Sequence, residues 1–126
     1  MEEKLFSNWN FIYENSDDIS MHVEYFREGH DEPSLIEGIF PNDFKKIVGS
    51  DKAFHVEMDG SFELVIHAIK DNIVYCTFLM RTSEYGWRES GRFALSKEEP
   101  HKTDKINYFN KPHGFYVVFI KEWWKA

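Results

Sequence analysis

Alternation of apolar and polar residues with a period of two is the feature that most constrains the fold of this chain. Successive side chains of a strand point to opposite faces of a sheet, so this period collects the apolar residues on one face. The alternation recurs over residues 9–13, 19–25, 53–58, 61–69 and 73–81. Aromatic residues make up 17% of the chain, and they pack well on pleated surfaces. The sequence therefore predicts an architecture dominated by antiparallel strands.

The first two alternating segments, 9–13 and 19–25, are separated by the turn-forming residues 14–18. If they pair as a hairpin across this loop, every apolar residue meets another apolar residue. The expected pairs are Tyr13–Ile19, Phe11–Met21 and Trp9–Val23, with Asn10 facing His22 on the opposite side. This matching predicts a half-buried antiparallel hairpin.

The three central segments predict consecutive antiparallel strands whose registers follow apolar pairing. A three-residue loop over 70–72 gives the pairs Ala68–Val74, Ile66–Cys76, Leu64–Phe78 and Phe62–Met80. Asp59-Gly60 favours a two-residue turn, but apolar pairing there needs an odd loop, so we predict a bulge. The resulting pairs are Met58–Phe62, Val56–Leu64, Phe54–Ile66 and Glu57–Glu63.

The remaining segments predict short helices and further strands. Residues 41–49 have helix signals, with Asn42 or Asp43 as the cap and Gly49 as the end. Residues 34–40 fit either a second short helix or an edge strand. Strands are also predicted at 88–95, near 106–109 and at 115–120, whereas 96–105 indicates a polar loop. The 115–120 run is apolar on both faces, which favours a central position in its sheet.

Together these segments predict an α+β fold in a single domain spanning residues 1–126. The expected architecture is a curved, mainly antiparallel sheet of about six to eight strands with one or two short helices. Such a sheet can close partly into a half-barrel.

Negative charge is concentrated in residues 14–37, which hold eight acidic residues and one basic residue, Arg27. The segment's net charge of −7 equals that of the whole chain. Such a field attracts basic partners and repels polyanions, which argues against direct nucleic-acid binding. The acidic loops lie at the two ends of the predicted strand 19–26. The acidic residues expected to contact a basic protein are Asp17, Asp18, Glu24, Glu28, Asp31 and Glu32; the alternative is a charged face that only solvates the protein.

Residues 81–93 interleave arginines with aromatic residues. This combination is common at protein-binding hot spots. Tyr85 and Trp87 lie at the predicted turn and are therefore added to the expected partner-binding residues. In the alternative, Trp87 folds back onto the core and the arginines pair with acidic residues of the first half.

A second group of polar residues is predicted on the sheet face that points away from Phe54, Leu64 and Phe78. Its members are His55, Glu57, Glu63, His67 and Tyr75, with His67 opposite Tyr75. Imidazole and carboxylate groups together transfer protons or bind metals. No spacing here matches a metal motif, and a polar outer face is usual for an antiparallel sheet. The primary interpretation is a solvated face and the alternative is a ligand site, with no metal and no cofactor predicted.

The sequence also restricts compartment and function class. The N-terminal residues lack an apolar signal region, the longest apolar run is too short for a membrane span, and there is one cysteine, Cys76. These features predict a cytoplasmic protein that does not contact membranes. No catalytic motif for nucleophilic, phosphate-binding or zinc-peptidase chemistry is present. The first hypothesis is a non-enzymatic inhibitor or antidote of immunity-protein type that binds a basic protein such as a nuclease toxin. The alternative is a small-molecule-binding curved sheet, with or without enzymatic activity, that uses His55, His67 and Tyr75.

Overall fold

The computed structural model describes residues 10–60, 62–82, 86–108 and 111–125. Nine strands and one short helix follow one another along these ranges. In chain order they are β1 (Ile12–Glu14), β2 (Asp18–Arg27), β3 (Leu35–Ile39), α1 (Pro41–Lys45), β4 (Phe54–Asp59), β5 (Phe62–Lys70), β6 (Ile73–Thr82), β7 (Gly86–Leu95), β8 (His101–Tyr108) and β9 (Lys111–Trp124).

The strands form two sheets where the sequence predicts a single curved sheet. The first sheet has the order β1-β5-β6-β7, with β4 also paired to β5, and the second has the order β3-β2-β9-β8. Within the described ranges neither sheet closes on itself, and only the β1–β5 pairing is parallel. The mainly antiparallel architecture is confirmed. In the described part of the chain the strand number exceeds the predicted six to eight, and the helical part there is limited to the five residues of α1.

The two sheets pack face to face through aromatic side chains. The Tyr25 ring of β2 lies 6.2 Å from the Phe62 ring of β5, and the Tyr116 ring of β9 stacks on the Phe78 ring of β6 at 4.8 Å. Aliphatic side chains surround these rings, including the fully buried Ile19, Val23, Leu64, Ile66, Val74 and Val118. Each buried side chain of this size stabilises the fold by about 1.5–3 kcal/mol relative to exposure. The interior between the sheets is therefore the main source of stability.

The predicted hairpin between residues 9–13 and 19–25 is wrong. β1 pairs in parallel with β5, with Ile12 opposite Ala68, so the chain changes sheets between β1 and β2. β2 lies instead between β3 and β9, where His22 is opposite Gly38 and Phe119 rather than Asn10. β9 is long and largely apolar, and it pairs with β2 over the whole length of β2, from Asp18 to Arg27. β1, by contrast, has only three residues. The predicted Trp9–Val23 pair involves a residue outside the described ranges.

The β5–β6 register combines apolar pairing with a preferred turn. The predicted pairs Ile66–Cys76, Leu64–Phe78 and Phe62–Met80 are confirmed. The predicted Ala68–Val74 pair is wrong, because the turn has two residues and Ala68 lies opposite Tyr75. Asp71 and Asn72 both have positive φ, at 53° and 62°, as a tight hairpin turn requires. A bulge at His67 takes up the extra residue.

The β4–β5 register contains the predicted bulge. The pairs Phe54–Ile66, Val56–Leu64 and Glu57–Glu63 are confirmed. The predicted Met58–Phe62 pair is wrong, since the bulge at Met58 places Asp59 opposite Phe62. Met58 nevertheless remains buried. The bulge thus allows a turn shorter than the predicted one, while the apolar residues of β4 stay on the buried face of the sheet.

α1 is shorter than the helix predicted over 41–49. The Phe40 N–H donates to the Asp43 carboxylate at 2.8 Å, which satisfies one of the free donors at the helix start. Phe44 is fully buried and packs against the Phe11 and Phe54 rings at 5.9 and 5.3 Å between centroids. Gly49 has a φ of 78° and turns the chain after α1.

Three predictions about the other segments have different outcomes. The edge-strand alternative for residues 34–40 is confirmed by β3, and the central position of 115–120 is confirmed by β9. The predicted polar loop over 96–105 is confirmed for residues 96–100 and wrong from residue 101 onward, because β8 begins at His101. β8 is an edge strand, and Ile106 is its buried apolar residue, so its sequence lacks a hydrophobic alternation.

Gly114 is a backbone position where we expect a side chain to be poorly tolerated. It lies opposite Arg27 with a φ of 126°, and a Cβ atom there would lie 1.8 Å from the Phe26 carbonyl oxygen. Gly114→Ala must therefore separate β2 from β9, and we expect it to lower the free energy of unfolding by about 2 kcal/mol or more. Gly91→Ala is the matched control, because a Cβ at Gly91 meets nothing within 4 Å. Urea denaturation measures both; equal midpoints would contradict this close approach of β2 and β9.

Candidate functional site

The acidic residues at the start of β2 are neutralised within the molecule. The Lys97 Nζ donates to Asp17 Oδ2 at 2.9 Å, and the Lys45 Nζ donates to Asp18 Oδ2 at 2.8 Å. Glu14 lies 3.7 Å from the Lys70 Nζ. The three lysines come from three different parts of the fold. Asp17 and Asp18, predicted as partner-binding residues, are thus already engaged by cations of the same chain.

The same loop is held by hydrogen bonds to the β5–β6 turn. The Asp17 N–H donates to Asn72 Oδ1 at 2.8 Å, and the Asn72 N–H donates to Ser16 Oγ at 2.9 Å. The Asp71 N–H donates to the Glu14 carbonyl at 3.1 Å. Loop 14–18 therefore fixes the point at which the chain passes from the first sheet to the second.

Tyr13 lies at the centre of this contact. Its hydroxyl donates to the Asp17 carbonyl at 3.0 Å and lies 3.4 Å from Asp18 Oδ1. Burial, followed by the negative charge of Asp18, raises the pKa of Tyr13 to about 12 from an ordinary value of 10.0. Both effects disfavour the phenolate, so Tyr13 acts here as a neutral hydrogen-bond donor.

The acidic residues at the other end of β2 are in a different environment. Glu28, Asp31 and Glu32 are exposed in the connection between β2 and β3, and none has an ion pair with any described residue. Residues 28–44 contain five acidic residues and no lysine or arginine. Residues 28–37, which form the acidic hairpin, therefore carry charge that faces solvent.

Glu24, also predicted as a partner-binding residue, is half-buried on the outer face of the second sheet. It lies 2.9 Å from the Nε2 atom of His22. On the same face the Phe26 and Phe115 rings stack at 4.6 Å, and the Phe119 ring lies 4.9 Å from the imidazole of His22. The acidic hairpin thus continues into a face with aromatic side chains.

Two large apolar side chains beside the acidic hairpin are exposed. Ile36 of β3 has 56% of its surface exposed, and Phe40, just beyond β3, has 58%. The Phe40 ring lies over Gly38, since a Cβ at Gly38 would be 3.5 Å from it. Sequence reasoning did not select these residues. The available signal was the 115–120 run, whose apolar residues on both faces indicate a second apolar surface on this sheet.

A cleft of about 330 Å³ separates β3 from β4. Its walls come from the two strands and from the start of α1. The lining residues are Glu37, Gly38, Ile39, Asp43, Phe54, His55, Val56 and Glu57. The lining therefore includes three acidic residues and one histidine together with apolar residues.

The structure brings together only part of the predicted histidine site. His55 Nδ1 lies 2.8 Å from Glu63 Oε1, and Glu57 is opposite Glu63 in the register. His67 is 1% exposed and its Nε2 lies 2.8 Å from the Thr77 hydroxyl, while the bulge moves it out of register with Tyr75. Tyr75 is 6% exposed. The expected solvated face is therefore wrong at the centre of the sheet and holds only along β4.

The two predicted aromatic residues of the turn after β6 are described in part. Tyr85 lies outside the described ranges. For Trp87, only the main chain is described, and it pairs with Arg81 at the start of β7. Arg92 forms an ion pair with Glu89 on the same strand. Partner binding by Tyr85 and Trp87 stays a prediction.

Because of Tyr13, we expect the stability of the protein to fall at alkaline pH. Folding raises the pKa of Tyr13, so the neutral hydroxyl contributes fully to the free energy of unfolding below pH 10. This contribution is lost as the pH rises toward about 12. We expect the free energy of unfolding to fall over this range, and to fall less in Tyr13→Phe. Burial also raises the pKa of Tyr116, so part of the fall will remain. Urea denaturation at several pH values measures the slopes; identical slopes would contradict the assigned role of Tyr13.

The two acidic regions are predicted to differ in their effect on stability. Asp17→Asn with Asp18→Asn removes two ion pairs whose carboxylates are 20% and 24% exposed. We expect a loss of about 1 kcal/mol in total, smaller at high salt. The matched pair Asp31→Asn with Glu32→Gln removes two charges that have no ion pair with a described residue, and it should leave stability unchanged or raise it. Thermal unfolding at low and high salt compares the two double variants. Equal losses of stability would contradict the distinction between the paired carboxylates of Asp17 and Asp18 and the exposed ones of Asp31 and Glu32.

In the described ranges, no group of three or more histidine, cysteine or acidic side chains is placed to hold a metal ion. No helix in the described part of the chain combines the length and the apolar character needed to cross a bilayer. Comparisons with protein-family models, with curated proteins and with solved structures found no match.

Proposed function

We propose that this protein is a non-enzymatic acidic binding protein that recognises a basic protein through the acidic hairpin. The observation that carries the proposal is the run of five acidic residues without a lysine or arginine over 28–44. Glu28, Asp31 and Glu32 of this run are exposed and have no cationic partner among the described residues. Their charge is available to a second molecule.

The physical role of the hairpin is to steer and orient the partner. A patch of one sign accelerates association with a patch of the opposite sign and selects against like-charged proteins. The neighbouring side chains of Ile36 and Phe40 supply apolar contact area, which the charged residues alone lack. Together they form a surface with an apolar part and an acidic border.

The most specific form of the proposal is an inhibitor or antidote of immunity-protein type. A nuclease has a basic surface that binds phosphates, and carboxylates of an acidic inhibitor can occupy the same positions. The contact is assigned to Glu28, Asp31 and Glu32, with Glu24 beside them. Asp17 and Asp18 are assigned a structural role because lysines of the same chain engage them.

A small-molecule site remains the alternative function. It is supported by the His55–Glu63 pair at 2.8 Å, which can exchange a proton, beside the cleft between β3 and β4. His67 and Tyr75, the other residues predicted for that site, are buried within the sheet. This arrangement supports the alternative less well than the acidic hairpin supports protein binding.

Partner capture at low and high salt tests the proposal. The baits are the wild-type protein, the hairpin variant Glu28→Gln/Asp31→Asn/Glu32→Gln, and a control variant with three other exposed acidic residues neutralised. The control changes are Asp71→Asn, Glu98→Gln and Glu99→Gln. We expect a basic protein that is retained by the wild-type and control baits at low salt and lost at high salt.

Association kinetics with the captured protein give the decisive result. We expect the hairpin variant to associate about tenfold more slowly at low salt and to lose most of its salt dependence. The control variant should associate at nearly the wild-type rate, because its charges lie away from the contact. An acidic partner, or equal rates for the two variants, would refute the proposal.

A further inference from the structure

β3 and β4 are edge strands that face the same cleft. β3 ends the second sheet, and β4 lies at the edge of the first sheet beside β5. Residues 37–39 of β3 and 54–57 of β4 line the cleft in unbroken runs. Two sheet edges thus border one cleft. An edge strand can accept a further strand through its main-chain hydrogen-bonding groups.

The four sheet edges differ in charge. β7 contains Arg88 and Arg92, and β8 contains Lys102 and Lys105. β3 and β4 contain no lysine or arginine, and their charged residues are all acidic. Proteins commonly protect edge strands with lysine or proline, and β3 has neither. Among the described strands none pairs with the free edges of β3 and β4, so these edges can accept a further strand, and their charge favours a basic one.

β3 also offers different chemistry on its two sides. Ile36 points to the outer face of the second sheet, where 56% of its surface is exposed. Glu37 points the other way and lines the cleft with Glu57. Side chains of an added strand alternate in the same way. One set would contact Ile36 and Phe40, and the other set would point toward the carboxylates.

We propose that β3 is the docking strand for an extended, basic segment of the partner protein. This segment adds to the edge of the second sheet and places a lysine or arginine side chain in the cleft between Glu37 and Glu57. The volume of about 330 Å³ is large enough to admit such a side chain. The inference rests on the proposed function and identifies the part of the basic partner that is recognised.

A random library of displayed peptides tests the docking strand directly. The full chain is the target, and binding of the selected synthetic peptides is measured by fluorescence anisotropy. We expect peptides in which lysine or arginine alternates with apolar residues. Glu37→Lys and Ile36→Lys should each weaken their binding about tenfold or more. N-methylation of alternate peptide amides should abolish binding in only one of the two registers, because one set of amides faces β3.

Asp104→Lys is the matched control. Asp104 is exposed on β8, the opposite edge of the same sheet, and lies on the same side of that sheet as Glu37. The change in charge equals that of Glu37→Lys, so a loss restricted to Glu37→Lys assigns the effect to β3. Circular dichroism and unfolding midpoints confirm that both variants fold. If Glu37→Lys unfolds the chain, Ile36→Lys alone carries the test, because its side chain is exposed.

Several results would overturn the docking strand. They are a library without binders, binders without basic residues, and equal binding to the β3 and Asp104 variants. Self-association that depends on Glu37, without peptide binding, would instead assign the edge to a second copy of the chain. If the captured partner dissociates from Glu37→Lys at the wild-type rate but associates slowly with the hairpin variant, the docking strand fails and the proposed function stands. If instead the captured partner dissociates faster from Glu37→Lys but associates with the hairpin variant at the wild-type rate, peptide binding at β3 stands and recognition by the acidic hairpin is refuted.

Discussion

The pairing of β2 with β9 is the constraint on which the second sheet and its surfaces depend. β9 covers the full length of β2, so β3 is left at the edge and the acidic hairpin extends from it. The pairing also places Tyr25 and Tyr116 side by side, where they contact Phe62 and Phe78 of the first sheet. The interior packing and the position of the exposed charge therefore both depend on β2, because its inner face packs in the core and its end leads into the acidic hairpin.

Period-two alternation predicts which residues share a face, but it does not identify the partner strand. The central registers followed from apolar pairing because short turns limit the choices for neighbouring strands. β1 was assigned to the wrong partner because any apolar strand matches Phe11 and Tyr13 equally well. Residues 101–105 of β8 were assigned to a loop for a related reason: among the described side chains of this edge strand only Ile106 is buried, so there is no hydrophobic period to detect.

The acidic region was visible in the sequence, whereas its division into two parts was not. Asp17 and Asp18 are neutralised by Lys97 and Lys45, which are 80 and 27 positions away. Such ion pairs depend on the tertiary fold, and no local pattern reports them. Likewise, the meeting of β3 and β4 at one cleft depends on two sheets that the sequence predicts as one. The residue types of the candidate site were therefore predictable, and their grouping was not.

The β2–β9 pairing also has a consequence for the order of folding. Asp18 pairs with Trp124 and Arg27 with Gly114, so the two strands come from opposite ends of the chain. During synthesis, β2 and β3 emerge long before β9, and contacts between distant segments form slowly. Until β9 arrives, β2 exposes an edge and the apolar side chains Met21 and Val23. Because residues 14–37 carry a net charge of −7, two chains in this state repel each other electrostatically.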